Sequence, residues 1–186
     1  MTTAEKKYIE LSAEKSDINE HLITLRYYAD QCQHVTELGV RRGVSTYAFL
    51  VSMCPKIVSV DVNHPDDFGG SLAEMREAAI EEGKDFEFIL ADDLSIELVE
   101  TDLLFIDALH TYSHLTKELA LHSHKACKWI ILHDTVTYGK IGLDGGIGIE
   151  KAIFEFLETH PEWKIKEMYE NNNGLTVFNI KSNEKI

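Results

Sequence analysis

The chain has 186 residues, of which 44% are hydrophobic and 27% charged, a composition typical of one globular domain. Its formal net charge of −14 argues against nucleic acid as a partner, because phosphate contacts need a clustered basic surface. No apolar run approaches the roughly 18 residues that a membrane span needs, so no membrane partner is expected either.

The first predicted element is an N-terminal helix over about 15–32. Its apolar positions have helical spacing: Ile18, Leu22, Leu25 and Ala29. Ser16 or Asp17 is expected to cap this helix, with Glu20 completing a capping box. Because the helix is amphipathic, it also offers a contact surface for a homo-oligomer.

Strands and helices then alternate. The predicted strands are HVTELGV, KIVSVDV, FEFILAD, DLLFIDA and KWIILHD. The helices among them run from about Val44 to Met53, through SLAEMREAAIEEG to Gly83, and through YSHLTKELALHSHKAC. The last two strands are almost continuously apolar, as in a parallel sheet buried on both faces. The alternation predicts an α/β fold with right-handed crossovers and helices on both faces of the sheet.

The C-terminal part departs from this alternation. A predicted helix, GIEKAIFEFLETH, ends at Pro161, and the segments WKIKEMYE and GLTVFNI follow with only NNN between them. Asparagine and glycine in so short a gap predict a β-hairpin. The sequence therefore predicts a single domain over 1–186 with a mostly parallel seven-stranded sheet and an antiparallel C-terminal hairpin.

A turn with two glycines joins the first strand to the next helix, in HVTELGVRRGVSTYAFL. Gly39 ends the strand, where a positive φ is expected, and Gly43 removes a side chain where a ligand or the strand below approaches. Ser45 and Thr46 fall in the first helical turn, where backbone N–H groups have no helical partner. Arg41 replaces the middle glycine of a dinucleotide-binding loop and would crowd a pyrophosphate.

The same turn carries a resemblance to a known family. Glu37, Gly39 and Gly43 match the first motif of class I S-adenosylmethionine-dependent methyltransferases, an acidic residue followed by two glycines with three variable residues between them. With the C-terminal hairpin, the chain resembles these Rossmann-like enzymes from about Ile18 to Ile180. Within them it is most similar to the small methyltransferase-24 family, whose relatives include macrolide-sugar and cephalosporin-type O-methyltransferases.

The resemblance implies a cofactor half over about 34–107, and an acceptor side with the hairpin over about 107–180. The residues implied in binding S-adenosylmethionine are Glu37, Gly39, Val40, Gly43, Ser45, Thr46, Asp61, Asp92 and Asp107. Asp61, at the end of the second strand, is expected to bind the ribose hydroxyls, as acids do there in related folds. Asp92 is expected to lie near the adenine amine. Both acids are also residues that cap turns.

Polar side chains follow the strands DLLFIDA and KWIILHD. Asp107 ends the first strand and His110 follows it, while His133 and Asp134 end the second. Ligands bind at the carboxyl ends of parallel strands, so we expect these residues to face one crevice, as catalytic groups (His110, Asp107 and His133) or as holders of strand ends. Related metal-dependent O-methyltransferases hold a divalent ion at the matching positions, which implies Asp107, His133 and Asp134 as ligands for Mg²⁺ or Mn²⁺.

Other histidines and the cysteines receive simpler interpretations. His114, His122 and His124 share one predicted helix without the spacing of a metal-binding histidine pair, and are assigned to surface or packing roles. The scattered cysteines are interpreted as buried thiols of a reducing compartment: Cys32, Cys54 and Cys127. Because the N-terminal segment also lacks the apolar core of a secretory signal, a cytoplasmic location is expected.

Three functions remain open at this point. The leading hypothesis is an S-adenosylmethionine-dependent O-methyltransferase acting on a small-molecule acceptor, such as a sugar, glycan or hydroxylated metabolite, with or without a divalent metal. The glycine-rich segment after the fifth strand, HDTVTYGKIGLDGGIG, is a candidate lid over that acceptor. The alternatives are a non-catalytic cofactor-binding or assembly domain, and an NAD-dependent enzyme.

Overall fold

The computed structural model describes residues 1–180, and seven segments of it pair into one sheet. In chain order the strands are β1 (His34–Leu38), β2 (Lys56–Asp61), β3 (Asp85–Leu90), β4 (Thr101–Ile106), β5 (Ala126–His133), β6 (Trp163–Tyr169) and β7 (Leu175–Ile180). Across the sheet the order is β3-β2-β1-β4-β5-β7-β6. Strands β1 to β5 pair in parallel, whereas β7 is antiparallel to both β5 and β6. The predicted sheet with its antiparallel C-terminal hairpin is confirmed.

Helices cover both faces of this sheet. They are α1 (Thr3–Ala13), α2 (Leu22–Ala29), α3 (Val44–Leu50), α4 (Leu72–Glu81), α5 (Tyr112–His122) and α6 (Ile149–Thr159). Helices α1 to α4 pack on one face, and α5 and α6 pack on the other. Side chains alternate along each strand, so Phe105 of β4 joins the first layer and its neighbour Ile106 the second. Within residues 1–180, no helix has the length and apolarity needed to cross a membrane.

The strand order places a crevice at the carboxyl ends of β1 and β4. Strands β2 and β3 lie on one side of β1, and β4 and β5 lie on the other. Helix α3, which follows β1, packs on one face of the sheet, while α5, which follows β4, packs on the opposite face. Because the two connections diverge, a gap forms between them, which is where open α/β sheets bind their ligands.

The predicted N-terminal helix over about 15–32 is wrong in its first half. Residues 14–18 form an irregular segment, a 3-10 turn covers Asn19–His21, and α2 begins only at Leu22. The Ser16 hydroxyl accepts a hydrogen bond from the backbone N–H of Asn19 at 3.0 Å instead of forming a capping box with Glu20. Such local bonds between side chain and backbone compete with the helix.

Helix α1 lies before this irregular segment and was not predicted. A capping box starts it, in which the Thr2 hydroxyl accepts from the backbone N–H of Glu5 and the Glu5 carboxylate accepts from that of Thr2. Helix α1 buries Ala4 and Leu11 against the same layer as α3 and α4. The chain therefore crosses the end of the sheet between α1 and α2, and this path carries Asp17 to the crevice.

Two further predictions change near β5. The helix predicted through YSHLTKELALHSHKAC ends at His122, and a 3-10 turn over Ser123–Lys125 leads directly into β5. Burial is confirmed for Cys32 and Cys54, but Cys127 is exposed on β5. Burial raises the pKa of Cys32 to about 12, which makes that thiol unreactive.

Candidate functional site

A cavity of about 500 Å³ lies at the crevice predicted by the strand order. It has the size of a small-molecule site. The sequence-predicted site residues that line it are Gly39, Val40, Ser45, Asp61, Asp92, Asp107, His110 and Asp134. The others lie behind the lining: Glu37, Gly43, Thr46 and His133. The cavity therefore joins the predicted cofactor side to the predicted acceptor side.

The loop between β1 and α3 forms one wall of the cavity. Gly39 has a φ of 88°, which confirms the predicted positive φ, and a Cβ there would overlap the carbonyl oxygen of Asp107. Gly43 also has a positive φ, of 83°, but the group closest to it is the Met75 side chain of α4 rather than the strand below. The two glycines let the loop pack between the end of β4 and helix α4.

Glu37 acts behind the cavity wall. Its carboxylate is fully buried and accepts hydrogen bonds from the hydroxyls of Ser45 at 2.5 Å, Thr46 at 2.8 Å and Ser59 at 2.6 Å. These bonds tie the first turn of α3 to β1 and β2. Burial raises the pKa of Glu37 to about 7, although the three hydroxyl donors oppose that shift. The acid of the glycine motif therefore supports the loop from beneath.

We expect Glu37 to make the protein less stable as the pH rises. Its pKa is raised from 4.5 to about 7 on folding, so the folded state holds its proton more tightly than the unfolded chain does. The free energy of unfolding should therefore fall between about pH 4.5 and pH 7, by on the order of 3 kcal/mol from this group, and level off above. Urea denaturation at several pH values in this range measures the free energy of unfolding. That free energy should fall less steeply with pH for Glu37→Gln, which cannot ionise. Equal slopes in the two proteins would contradict this role.

Asp61 both fixes the loop and borders the cavity. Its Oδ2 accepts hydrogen bonds from the backbone N–H groups of Val40 at 2.8 Å and Arg41 at 2.9 Å, and its Oδ1 accepts from Asn63 at 2.8 Å. Carboxylate oxygens can accept more than one bond, so Asp61 keeps acceptor capacity for a ligand. Arg41 itself has a φ of 52° and pairs with Asp17 at 2.7 Å, which brings the irregular N-terminal segment to the cavity rim.

The turn after β3 forms another wall of the cavity. The Asp92 side chain accepts from the backbone N–H of Leu94 at 2.9 Å and so begins a short 3-10 turn, while it also lines the cavity. Asp93 is buried, and its Oδ2 lies 3.1 Å from Nε2 of His114 on α5. His122, also on α5, lies 2.8 Å from the Asp93 carbonyl. His114 and His122, assigned from sequence to surface or packing roles, therefore hold this wall in place.

The polar ends of β4 and β5 converge on Asp107. His110 Nε2 lies 3.0 Å from Asp107 Oδ1 and 3.2 Å from Asp134 Oδ2. His133 Nδ1 lies 3.1 Å from the same Asp107 oxygen. The His110 ring stacks on Tyr138 of the following loop, with centroids 5.0 Å apart. The four residues predicted to face one crevice are thus brought together, although His133 lies behind Asp107.

Opposite charges stabilise the cluster of Asp107 and its neighbouring histidines. Burial disfavours the Asp107 carboxylate, but His133 and His110 outweigh it and hold its pKa well below the usual range. Burial likewise favours a neutral His133, but Asp107 and Asp134 outweigh it and raise the pKa of His133 to about 9. His133 is therefore the charged partner of Asp107 near neutral pH. A ring already protonated cannot accept a further proton.

Asp134 is strained and incompletely paired. Its φ of 59° is in the left-handed region, which non-glycine residues rarely adopt. Its Oδ1 is buried without a hydrogen-bond partner among residues 1–180. Burial raises the pKa of Asp134, although His133 and His110 oppose the shift. Strain and unpaired acceptors of this kind are typical of sites that receive a ligand.

The asparagine turn of the C-terminal hairpin supports the site, and the sequence did not reveal this. The Asn172 carbonyl lies 3.3 Å from His133 Nε2, so both ring nitrogens of His133 have partners. The Asn171 carbonyl lies 3.0 Å from Nε2 of the buried His21, whose ring meets His133 edge-on. Asn172 has a φ of 46° and also binds the backbone of Ser16. The run of three asparagines is the sequence signal for this supporting role of the turn.

Solved structures share this architecture over nearly the whole chain. An O-methyltransferase from Bacillus cereus in complex with S-adenosylhomocysteine matches with a TM-score of 0.66 and 15% identity, covering 96% of this chain and 90% of that one. An O-methyltransferase from Streptomyces achromogenes involved in tomaymycin synthesis, in complex with S-adenosylmethionine, has a TM-score of 0.62, 16% identity and coverages of 96% and 87%. A methyltransferase from Podospora anserina with bound S-adenosylhomocysteine has a TM-score of 0.62, 16% identity and coverages of 96% and 88%.

Sequence comparison adds no family to this result. No protein-family model matches the chain, and no curated protein matches it. The narrower resemblance to the methyltransferase-24 family therefore stays a prediction. At identities of 15% and 16%, the structural matches establish the fold alone. The chain has the Rossmann-like fold of the class I methyltransferases.

Proposed function

We propose that this protein is an S-adenosylmethionine-dependent methyltransferase that acts on the oxygen of a small hydroxylated acceptor. The observation that carries the proposal is a single cavity bordered by Asp61 and the glycine loop on one side and by His110, Asp107 and Asp134 on the other. A methyl donor and a deprotonating group would thus meet in one space. The matched O-methyltransferases with bound S-adenosylmethionine or S-adenosylhomocysteine support this choice of cofactor.

The cofactor side fits S-adenosylmethionine in its donor chemistry. Asp61 offers carboxylate oxygens to ribose hydroxyls, and the loop at Gly39 and Val40 offers backbone against the methionine part. Asp92 lies at the wall assigned to the adenine. Arg41 occupies the position of a dinucleotide loop's middle glycine, which disfavours NAD. Bound there, S-adenosylmethionine would supply a methyl group activated for attack by a nucleophilic oxygen.

On the acceptor side, we assign His110 as the group that removes the hydroxyl proton. Asp107 and Asp134 both lie within hydrogen-bond distance of its Nε2 and would hold the proton on that atom. The lone pair then remains on Nδ1, which is how a carboxylate orients a histidine base in other enzymes. The stacked Tyr138 ring fixes the plane of the imidazole. His133, whose two nitrogens are both paired, would position Asp107.

The same corner also fits a divalent cation, as an alternative to the proton on His110 Nε2. With an ion bound there, His110 would be a ligand rather than the base. Ligand atoms of Asp107, His110 and Asp134 all lie within 4.8 Å of one another, and Asp134 Oδ1 has no hydrogen-bond partner within the described part of the chain. Two carboxylates and an imidazole suit Mg²⁺ or Mn²⁺. His110 replaces the predicted His133 in this group, because His133 is bonded to Asp107 and to the Asn172 carbonyl. An ion bound there would lower the pKa of an acceptor hydroxyl.

The test is methyl transfer from radiolabelled S-adenosylmethionine to a panel of sugars and small hydroxylated compounds, with Mn²⁺ and with EDTA. Label in one of these acceptors, with formation of S-adenosylhomocysteine, is the expected result. A difference between the Mn²⁺ and EDTA arms would assign the metal. Binding of the cofactor with no transfer to any acceptor would favour the alternative of a non-catalytic cofactor-binding domain.

Asp61→Asn should weaken S-adenosylhomocysteine binding by about 10- to 100-fold. The change removes a charged acceptor, and hydrogen bonds to charged groups are worth about 1.5–3 kcal/mol. Calorimetric titration measures the affinity directly, and Asp67→Asn, at an exposed position nearby, is the matched control. Equal affinities in wild type and Asp61→Asn would remove Asp61 from the cofactor site.

A further inference from the structure

A second cluster of ligand-type side chains lies at the β3 wall of the cavity. It consists of Asp93, from the turn after β3, and His114 and Glu118, from the first two turns of α5. Their ligand atoms all lie within 4.8 Å of one another. His114 and Glu118 are four residues apart on one helix, so both side chains lie on the same face and point to the same place. The cluster shares no residue with Asp107, His110 and Asp134.

One oxygen of Glu118 has no hydrogen-bond partner in this cluster. Its side chain is only 1% exposed, and its Oε1 has no hydrogen-bond partner among residues 1–180. That oxygen lies 3.8 Å from His114 Nε2, which in turn lies 3.1 Å from Asp93 Oδ2. Burial and a side-chain hydrogen bond with Asp93 raise the pKa of Glu118 well above its usual range, but burying Oε1 without a donor still costs free energy. The unpaired oxygen therefore faces two other potential ligands across a short gap.

The spacing is that of metal ligands. Bonds of about 2.1 Å to one ion place neighbouring ligand atoms roughly 3.0 Å apart in octahedral and about 3.4 Å apart in tetrahedral geometry. The 3.1 Å between His114 and Asp93 lies in that range, and the 3.8 Å between Glu118 and His114 exceeds it by a few tenths of an ångström, which a small side-chain shift closes. Two carboxylates and one imidazole suit Zn²⁺, Mn²⁺ or Co²⁺. His122 holds the Asp93 carbonyl at 2.8 Å, so the turn that carries the first ligand is already fixed against α5.

We propose that Asp93, His114 and Glu118 form a second divalent-cation site, which joins the turn after β3 to helix α5. An ion there would satisfy the unpaired Glu118 oxygen and hold the cavity wall that Asp93 and His114 provide. Its role would be structural, since Glu118 lies behind the wall and does not line the large cavity. The proposal does not depend on methyl transfer, because ion binding is measured without cofactor or acceptor.

The test is titration of the EDTA-treated full chain with Co²⁺, followed by its visible absorption, and with Zn²⁺, followed by calorimetry. Five variants distinguish the two sites. Four carry one substitution each (Asp134→Asn, Glu118→Gln, His114→Gln and Glu158→Gln), and the fifth combines Asp134→Asn with Glu118→Gln. Asp134→Asn should keep one ion, and adding Glu118→Gln should remove it. Glu158→Gln, at an exposed position, should bind as wild type does.

Glu118→Gln should lower the affinity for this ion. The loss should exceed the roughly 10- to 100-fold that follows removal of a residue hydrogen-bonded to a ligand, because Glu118 would be a direct ligand. Zn²⁺ should also raise the Tm of Asp134→Asn but not that of the doubly substituted protein. His114→Gln provides the same measurement if Glu118→Gln does not fold. If no ion binds to Asp134→Asn, or if Glu118→Gln and His114→Gln bind Co²⁺ as wild type does, the site does not exist.

Discussion

His110→Gln should lower the rate of methyl transfer by about 100- to 10,000-fold, the usual range for loss of a general base. Glutamine keeps the length of the side chain but cannot take up a proton, and it is a poor substitute for an imidazole as a metal ligand. The affinity for S-adenosylhomocysteine should stay within a few-fold of wild type, because His110 lies on the proposed acceptor side of the cavity. Initial rates with the acceptor that the panel identifies, together with calorimetry, measure both quantities.

His124→Gln is the matched control, because His124 is exposed beyond the end of α5. It should leave both the rate and the affinity unchanged. If His110→Gln transfers methyl groups as fast as His124→Gln does, His110 is neither base nor ligand. A parallel loss of rate and cofactor affinity would instead place His110 on the cofactor side.

Gly39→Ala should destabilise the protein by about 3 kcal/mol or more and abolish cofactor binding. The residue has a φ of 88°, and its new Cβ would overlap the Asp107 carbonyl oxygen, which is backbone and cannot rotate away. The loop would have to leave the end of β4, and the cavity wall would move with it. Urea denaturation gives the free energy of unfolding for both proteins.

Gly83→Ala distinguishes the cost of the positive φ from the cost of the overlap with Asp107. Gly83 also has a positive φ, of 66°, but a Cβ there would meet nothing within 4 Å. It should therefore cost only the backbone term, about 1 kcal/mol. The excess cost of Gly39→Ala over Gly83→Ala measures the contact with β4. If the two costs are equal, the close approach of the loop to Asp107 is not what requires glycine at position 39.

The sheet was predictable because its signals are local and periodic. Near-continuous apolar runs identified β4 and β5, and the asparagine-glycine gap identified the hairpin of β6 and β7. The N-terminal region was predicted less well, since helical spacing in residues 18–29 extended the helix too far. Its true start depends on the hydrogen bond between Ser16 and Asn19. Helix α1 begins at a capping box, for which Thr2 and Glu5 are the sequence signal.

The candidate site was predictable where strand ends supply the residues. Asp61, Asp107 and Asp134 reach the cavity because parallel strands end at the same edge of the sheet. Contacts between distant segments were not predictable, because no local pattern encodes them. The clearest cases are the burial of Glu37 beneath three hydroxyls and the bond of His133 to the Asn172 carbonyl.

Helix α5 carries a mixed pair rather than a pair of histidines. His114 and Glu118 are four residues apart, so a histidine and a carboxylate share one face of the helix. The sequence signal for this pair is therefore the spacing of a histidine and a carboxylate. His133 lies at the strand end where it was predicted, but no sequence pattern indicates that its ring turns toward Asp107 and Asn172. Side-chain direction at a strand end depends on the neighbouring elements, which the sequence leaves open.

Titration of wild type with S-adenosylhomocysteine, with NAD as the competitor, tests the central claim most directly. The cavity at the glycine loop should bind S-adenosylhomocysteine with a Kd in the micromolar range or below, and NAD far more weakly. Binding of NAD in preference to S-adenosylhomocysteine, or no binding of S-adenosylhomocysteine with Mn²⁺ or with EDTA, would contradict the methyltransferase assignment.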